Sequence, residues 1–319
     1  MIAFVLATTN LIVLFVSLIL NISLAFIVVQ KADKVGSFRR FYYLFIIINI
    51  FYSLSQWLIS PFLWSTEGII TVVASSIYSL NTQLMEIAFF LWFFLLIFTI
   101  ILLSSSFIYR HVFVIRAHLL HIFDYIWFII PWFLMSISVS AGIVVGAYLF
   151  TYPIQRSLRI KMQKILDLDQ GINYQRFFIF GIDLDDNSES KAVIGIIGLV
   201  LVVIIIFSLL IIIFSTHRMK SFISINIHSI KTKQTQLDAL YLLIFQTLNL
   251  VLFIYVPFLY RISTMFISFS NPEIMHWILS FSFVIYPIFN PLIIFAFTLY
   301  YREFIIESVK DLIFMFRFT

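Results

Sequence analysis

Seven long stretches without a charged side chain divide this chain, and they constrain its fold more than any motif does. They cover residues 1–30, 41–66, 87–109, 125–155, 192–217, 239–260 and 274–301. Each reaches the roughly 20 residues needed to cross about 30 Å of hydrocarbon at 1.5 Å rise per residue. Hydrophobic residues make up 62% of the 319 and charged residues 11%, against roughly 45–50% and 25% in soluble domains. No water-soluble core of this length hides that much apolar surface, so lipid is the solvent. The pattern predicts an all-α membrane protein, a seven-transmembrane helix bundle forming one domain over 1–319, with spans near 4–29, 41–63, 84–109, 125–151, 192–216, 239–260 and 274–300. Residues 68–85 also lack charge, but Ser75, Ser76, Ser79, Asn81, Thr82 and Gln83 mark them as a loop leading into the third helix.

An odd number of crossings puts the two ends on opposite sides, and basic residues choose the side. With the N-terminus outside, 13 of the 20 Lys and Arg fall in inner segments. Six more lie in the long outer loop 152–191, where Asp167, Asp169, Asp183, Asp185, Asp186 and Glu189 balance them, and Arg261 is the last. The expectation is N-terminus outside and C-terminus inside, with a short cytoplasmic tail over 302–319. The formal charge of +5 then belongs to the inner surface, and no nucleic-acid partner is implied. The first span has neither a basic leader nor a small-residue cleavage site, so it reads as an uncleaved signal anchor. Asn21 forms a glycosylation sequon with Ser23, but it lies inside that span and reads as an interhelical hydrogen-bond donor. In the outer loop, Leu158, Met162, Ile165 and Leu166 share one helical face among basic residues. A short amphipathic helix on the membrane and a solvated loop both fit.

The chain has no cysteine, which removes disulfides, thiol catalysis and thiolate metal sites. His111, His118 and His121 with Asp124 supply too little for zinc, so no metal and no cofactor are expected. No Gly-rich phosphate loop, HExxH or GxSxG occurs, and the chain does not read as an enzyme. One intramembrane acid, Glu86, is too few for a proton-coupled transporter. What remains is a polar-dotted cavity between helices, suited to a small and mostly apolar ligand. Its candidates are Asn81, Gln83, Glu86, Tyr148, Tyr255, Tyr260 and Trp277. Each aromatic also reads as an interfacial belt residue, and Glu86 as an acid capping span three.

At the inner end of span three, Tyr109-Arg110-His111 offers a guanidinium that either snorkels to headgroups or meets a cytoplasmic partner. The last span carries Pro287, Asn290 and Pro291. A proline costs a helix about 3 kcal/mol, and lipid does not satisfy the carbonyl it frees. Such a run is a kinked helix facing protein with a polar group at the kink, or a proline-bent anchor whose Asn merely packs.

Four segments in order resemble the nematode seven-transmembrane serpentine chemoreceptors of the Str type. They are Gly36–Tyr52; Phe107–Phe123, with Tyr109-Arg110 followed by His111 where a second tyrosine is usual; Gln246-Thr247 with Pro257; and Tyr286–Pro291 with Tyr301-Arg302. Leu250 stands where a first proline is common, and Asn290 where Asp is frequent. The resemblance implies a G-protein-coupled chemosensory, olfactory-type receptor in the plasma membrane of sensory neurons, often on cilia. Its partners would be the bilayer, an odorant-like small molecule and a heterotrimeric G protein. By the same resemblance Tyr109, Arg110, Arg116, Arg218, Lys220, Lys231 and Arg302 face the G protein, and Pro257, Pro287, Asn290 and Pro291 form the switch. A ligand-gated channel subunit or transporter component is the alternative.

Overall fold

The computed structural model describes residues 2–30, 38–66, 69–75, 82–119, 130–149, 177–183, 188–266 and 273–298, with single positions at 158, 161, 301, 302 and 306. Asn81, His121, Asp124 and most of the long loop lie outside the described residues; of its amphipathic segment, Leu158 is buried and Lys161 exposed. Seven helices are long and apolar enough to cross a membrane. They are α1 (Ile2–Gln30), α2 (Arg39–Ile59), α3 (Thr82–Ile115), α4 (Ile130–Leu149), α5 (Ser188–Asn226), α6 and α7 (Glu273–Phe297). Helix α6 runs over Ile230–Leu250 and Val256–Phe266 on either side of a π turn at Val251–Tyr255.

Helix α3 is the most buried span and packs against α2, α5 and α6. Helix α5 is peripheral: Leu199, Val203, Ile206, Leu210 and Ile213, three or four residues apart, are all exposed and face lipid. With Leu201, Ile205 and Ile212 buried on the other side, the helix is apolar all round, as a membrane span is. Lipid tails give helices no hydrophobic reason to associate, so small polar groups tie them, each for about 0.6–2 kcal/mol. Ser17 and Ser53 hydroxyls meet at 2.7 Å between α1 and α2, and Ser104 and Ser208 at 2.6 Å between α3 and α5. Asn21, on the same turn of α1, donates to the Ser17 carbonyl and hydroxyl rather than across to another helix.

At one end of the bundle the chain departs from the sequence reading. Residues 68–85 are not a plain loop. Ile69–Ser75 is a strand, β2, between β1 (Pro61–Thr66) and β3 (Phe177–Asp183), both antiparallel to it. Pro61 explains where α2 stops, because the residue before a proline is pushed out of the helical region. Ser60 takes φ 38 and ψ 62 and donates its N–H to the Gln56 carbonyl at 2.8 Å, closing the helix. The run Ile69-Ile70-Thr71-Val72-Val73 is β-branched throughout and fits a pleated surface. The sheet seats on the bundle through the Leu63 N–H, which donates to the Ser280 hydroxyl of α7 at 3.0 Å. On α3, Phe89 packs against Phe180, ring centres 4.9 Å apart. The N-terminal end of α1 shares this sheet end, where Leu6 packs with Phe62 and Val284. The opposite end, reached by α3, α5 and the start of α6, carries the exposed basic residues.

Candidate functional site

Beneath the sheet lies a cavity of about 170 Å³. Helix α3 supplies one wall with Phe89, Trp92, Phe93, Leu96, Ile97 and Ile100. Helix α5 adds Gly198 and Leu201, α4 adds Ala147, and α6 adds Ile254, Phe258 and Arg261. Thr71 and Val72 of β2 with Phe180 and Gly181 of β3 close the top. Trp92 sets its edge against Phe283 of α7, centres 5.7 Å apart, which fixes the floor. A dry cavity of about 150 Å³ lined by Leu, Ile and Phe is known to take benzene. This one suits a molecule of that size or slightly larger.

Among the described residues, three polar side chains interrupt the apolar wall: Arg261, Thr71 and the indole N–H of Trp92. Arg261 is 6% exposed, and its Nη2 donates to His276 Nδ1 of α7 at 2.7 Å. A guanidinium only donates, so this Nδ1 accepts and the imidazole is the neutral Nε2–H tautomer. Thr71 is 1% exposed, and its hydroxyl has no hydrogen-bond partner among the described residues.

The polar and aromatic residues singled out from sequence sit beside this wall. Tyr148, Tyr255 and Tyr260 are the chain neighbours of Ala147, Ile254 and Arg261, on the same helices but turned away. Tyr255 is buried and donates its hydroxyl to Ser208 at 3.4 Å, a structural tie between α6 and α5. Tyr148 sets its ring edge-on to Phe90 at 5.3 Å. Tyr260 is half-buried against the core, and Trp277 stacks on Phe281 at 5.7 Å and meets Phe62 of β1. Gln83 is exposed and Glu86 half-buried at the sheet end of α3, outside the cavity wall. Arg261, counted as a loop residue from sequence, is instead inside α6, because the helix continues past Tyr260 to Phe266. An isolated Arg one turn beyond Pro257, with Tyr and Ile on either side, was the available signal.

At the basic end, Arg110 is folded into the bundle, 9% exposed. Its Nη2 donates to Gln236 Oε1 of α6 at 2.7 Å, and its guanidinium lies 5.0 Å from the Phe113 ring centre. Tyr109 is buried against Phe41 at 5.3 Å. Arg116, Arg218, Lys220, Lys231 and Arg302 are exposed around them.

Between the two ends lie the prolines. Pro287 lacks the N–H that the Phe283 carbonyl would use, and the Tyr52 hydroxyl of α2 donates to that carbonyl at 3.4 Å. Gln246 Nε2 donates to Asn290 Oδ1 at 2.8 Å, and Asn249 Nδ2 to the Tyr286 carbonyl at 3.4 Å. Asn290 is 2% exposed, so the amide at the kink faces protein. Gln246 Oε1, Asn249 Oδ1 and Asn290 Nδ2 lack partners among the described residues. The network is half-satisfied. In α6 the answer to Pro257 is internal: the Val256 N–H reaches back five residues to the Val251 carbonyl.

The description Serpentine type 7TM GPCR chemoreceptor Str matches residues 6–306. The chain belongs to this family. The Str match takes in all seven spans, the sheet and both ends of the bundle. No curated protein matches the chain at a significant level. Family membership makes this a multi-pass membrane protein of the chemoreceptor class.

Proposed function

We propose that this Str-family member is a G-protein-coupled chemosensory receptor that takes a small, largely apolar molecule into the cavity beneath the sheet. The sheet end with the N-terminus faces outside and the basic end faces the cytosol. The site of action is the plasma membrane, with the ciliary membrane of a sensory neuron as the location the family resemblance implies. The observation that carries this reading is α6. Its π turn places Ile254 in the cavity wall, while Gln236, 18 residues earlier and about 27 Å away along the helix, holds Arg110. One continuous helix therefore touches both the ligand space and the buried guanidinium.

A ligand that binds better to one arrangement of α6 shifts the population toward it by its difference in affinity. In the arrangement described, Arg110 is occupied by Gln236 and turned inward. Release of that bond frees a cation among exposed Arg116, Arg218, Lys220, Lys231 and Arg302, a surface suited to an acidic face of a G protein. The half-satisfied amides at Asn290 provide the second arrangement, because a buried unpaired polar group costs about 1–3 kcal/mol that new pairing recovers.

The test is Arg110→Ala in a reporter cell. The variant is expected at the surface at normal level with signalling lowered at least ten-fold. Undiminished signalling would leave Arg110 a packing residue and sink the coupling half of the proposal. A C-terminal tag is expected to stain only after permeabilisation; staining of intact cells would reverse the bundle and remove G-protein contact.

A further inference from the structure

We infer that the molecule taken by this cavity is an uncharged, hydrocarbon-like compound that arrives from the bilayer, between the sheet-end halves of α5 and α6. The inference rests on the cavity being the ligand site. The polar side chains of the wall do not present their polar atoms to the space: Thr71 Oγ1, Trp92 Nε1 and the Nε and Nη1 of Arg261 are all covered. The cavity surface is hydrocarbon almost throughout. An amide or carboxylate placed there would give up its water and gain no partner, which such groups resist. A plain ring or short alkyl chain has nothing to give up, and a volume of about 170 Å³ holds one. A compound of that kind leaves water for lipid before it meets the protein.

The wall is thinnest on its lipid side. Positions 198, 201, 205 and 212 share one face of α5 at helical spacing. Leu201, Ile205 and Ile212 are buried there, yet Gly198 is part-exposed. A methyl group at Gly198 would touch, beyond its own helix, only Ile262 Cδ1 of α6 at 4.0 Å among the described residues. Helix α5 packs against α6 along Ile230–Leu250 but scarcely along Val256–Phe266. Phe258 closes the seam nearer the middle of the bundle, packing on the cluster of Ile97, Val144 and Leu201. Above it the cavity wall consists of Gly198, which has no side chain, and Ile262. The roof offers no comparable way in. Successive strand residues face opposite sides of a sheet, and both members of the pairs Val73–Ala74 and Phe178–Ile179 are buried, so both faces are covered. Over the cavity itself, Thr71 is buried and Phe180 rests on Phe89.

The experiment uses the full chain purified into lipid nanodiscs and bromobenzene, whose heavy atom quenches tryptophan. Stopped-flow fluorescence follows its approach to Trp92 in the cavity wall, and Trp92→Phe supplies the background from the rest of the six tryptophans. The chain has no cysteine, so Gly198→Cys and Ile262→Cys in one protein are joined selectively by a short bismethanethiosulfonate and released by dithiothreitol. Joining them is expected to slow association and dissociation at least ten-fold each, with Kd moving less than about three-fold. Release is expected to restore both rates, and comparing one protein linked and released sets aside any effect of the substitutions on folding. Ile262→Ala, which widens the gap, is expected to raise both rates several-fold. In the wild type, 4-bromobenzamide is expected to bind at least ten-fold more weakly than bromobenzene. Rates unchanged by linking or by Ile262→Ala overturn the lateral route while the cavity stands as a ligand site. An amide that binds as tightly as bromobenzene overturns the hydrocarbon assignment with the same consequence. Bromobenzene that fails to quench Trp92 overturns the inference and the ligand site together.

Discussion

Helices α6 and α7 both carry proline within the bundle, and they accommodate it in opposite ways. In α7 the defect is met by neighbours: Tyr52 of α2 caps the Phe283 carbonyl, and Asn249 and Gln246 of α6 bond the turn around Tyr286 and Asn290. In α6 it is met by the helix itself, which widens into a π turn just before Pro257. The difference bears on motion. Moving α7 breaks the bonds that repair its proline turn, whereas re-forming the π turn of α6 leaves that repair inside the helix and breaks the side-chain ties of Tyr255 to Ser208 and Arg261 to His276. A π turn of this kind is a frequent mark of a functional site. This one sits where α6 meets the cavity through Ile254 and Phe258. By this reading α7 is the post and α6 the lever.

The strongest way to break the contrast is Pro257→Ala. Alanine restores the N–H and removes the clash, a helix preference of about 3 kcal/mol, and the π turn is expected to tighten into α-helix. The cavity half of α6 would then rotate by about 100°, carrying Phe258 and Arg261 out of the wall. Ligand-evoked signalling should fall ten-fold or more in surface-normalised dose–response curves, with thermal stability little changed as the helix gain offsets the lost Arg261–His276 bond. Asn290→Leu comes next. It removes the bond to Gln246 and leaves that amide unpaired, costing about 1–2 kcal/mol. Basal activity is expected to change several-fold in the same reporter cell; loss of expression alone would make Asn290 a packing residue. The smallest effect is expected from Tyr52→Phe, which uncaps the Phe283 carbonyl for about 0.6–1 kcal/mol. That should lower Tm by about 2 °C in differential scanning fluorimetry and leave signalling unchanged.

The helices were legible because lipid imposes a simple rule: about 20 apolar residues without charge. The sheet was not. Its strands are short, and β3 lies more than 100 residues beyond β2, so the pairing is non-local and leaves no periodic signal in either segment. In residues 68–85 the serines and amides at the end signal a loop, and they outweigh the β-branched run Ile69–Val73 that forms the strand. A cavity between helices is expected from the sequence, but its lining is not legible there. Polarity singles out Tyr148, Tyr255 and Tyr260, while the wall is built from the residues next to them. Helical phase decides which of two neighbours faces inward, and the π turn shifts that phase in the middle of α6. Arg110 was visible as a candidate, but its fold-back onto Gln236 needs α3 and α6 side by side.

The central claim, that α6 is a lever whose basic end is held by Arg110, has a direct measurement. The chain contains no cysteine, so cysteines introduced at Arg116 and Lys231, both exposed, carry a clean pair of spin labels across the α3–α6 gap. Pulsed electron resonance on the purified full chain then compares the wild type with Gln236→Leu, which removes the acceptor for Arg110. The predicted result is a distance distribution shifted outward by several ångström, the scale of helix movements in such switches, together with raised basal signalling. Identical distributions in the two proteins would contradict the account.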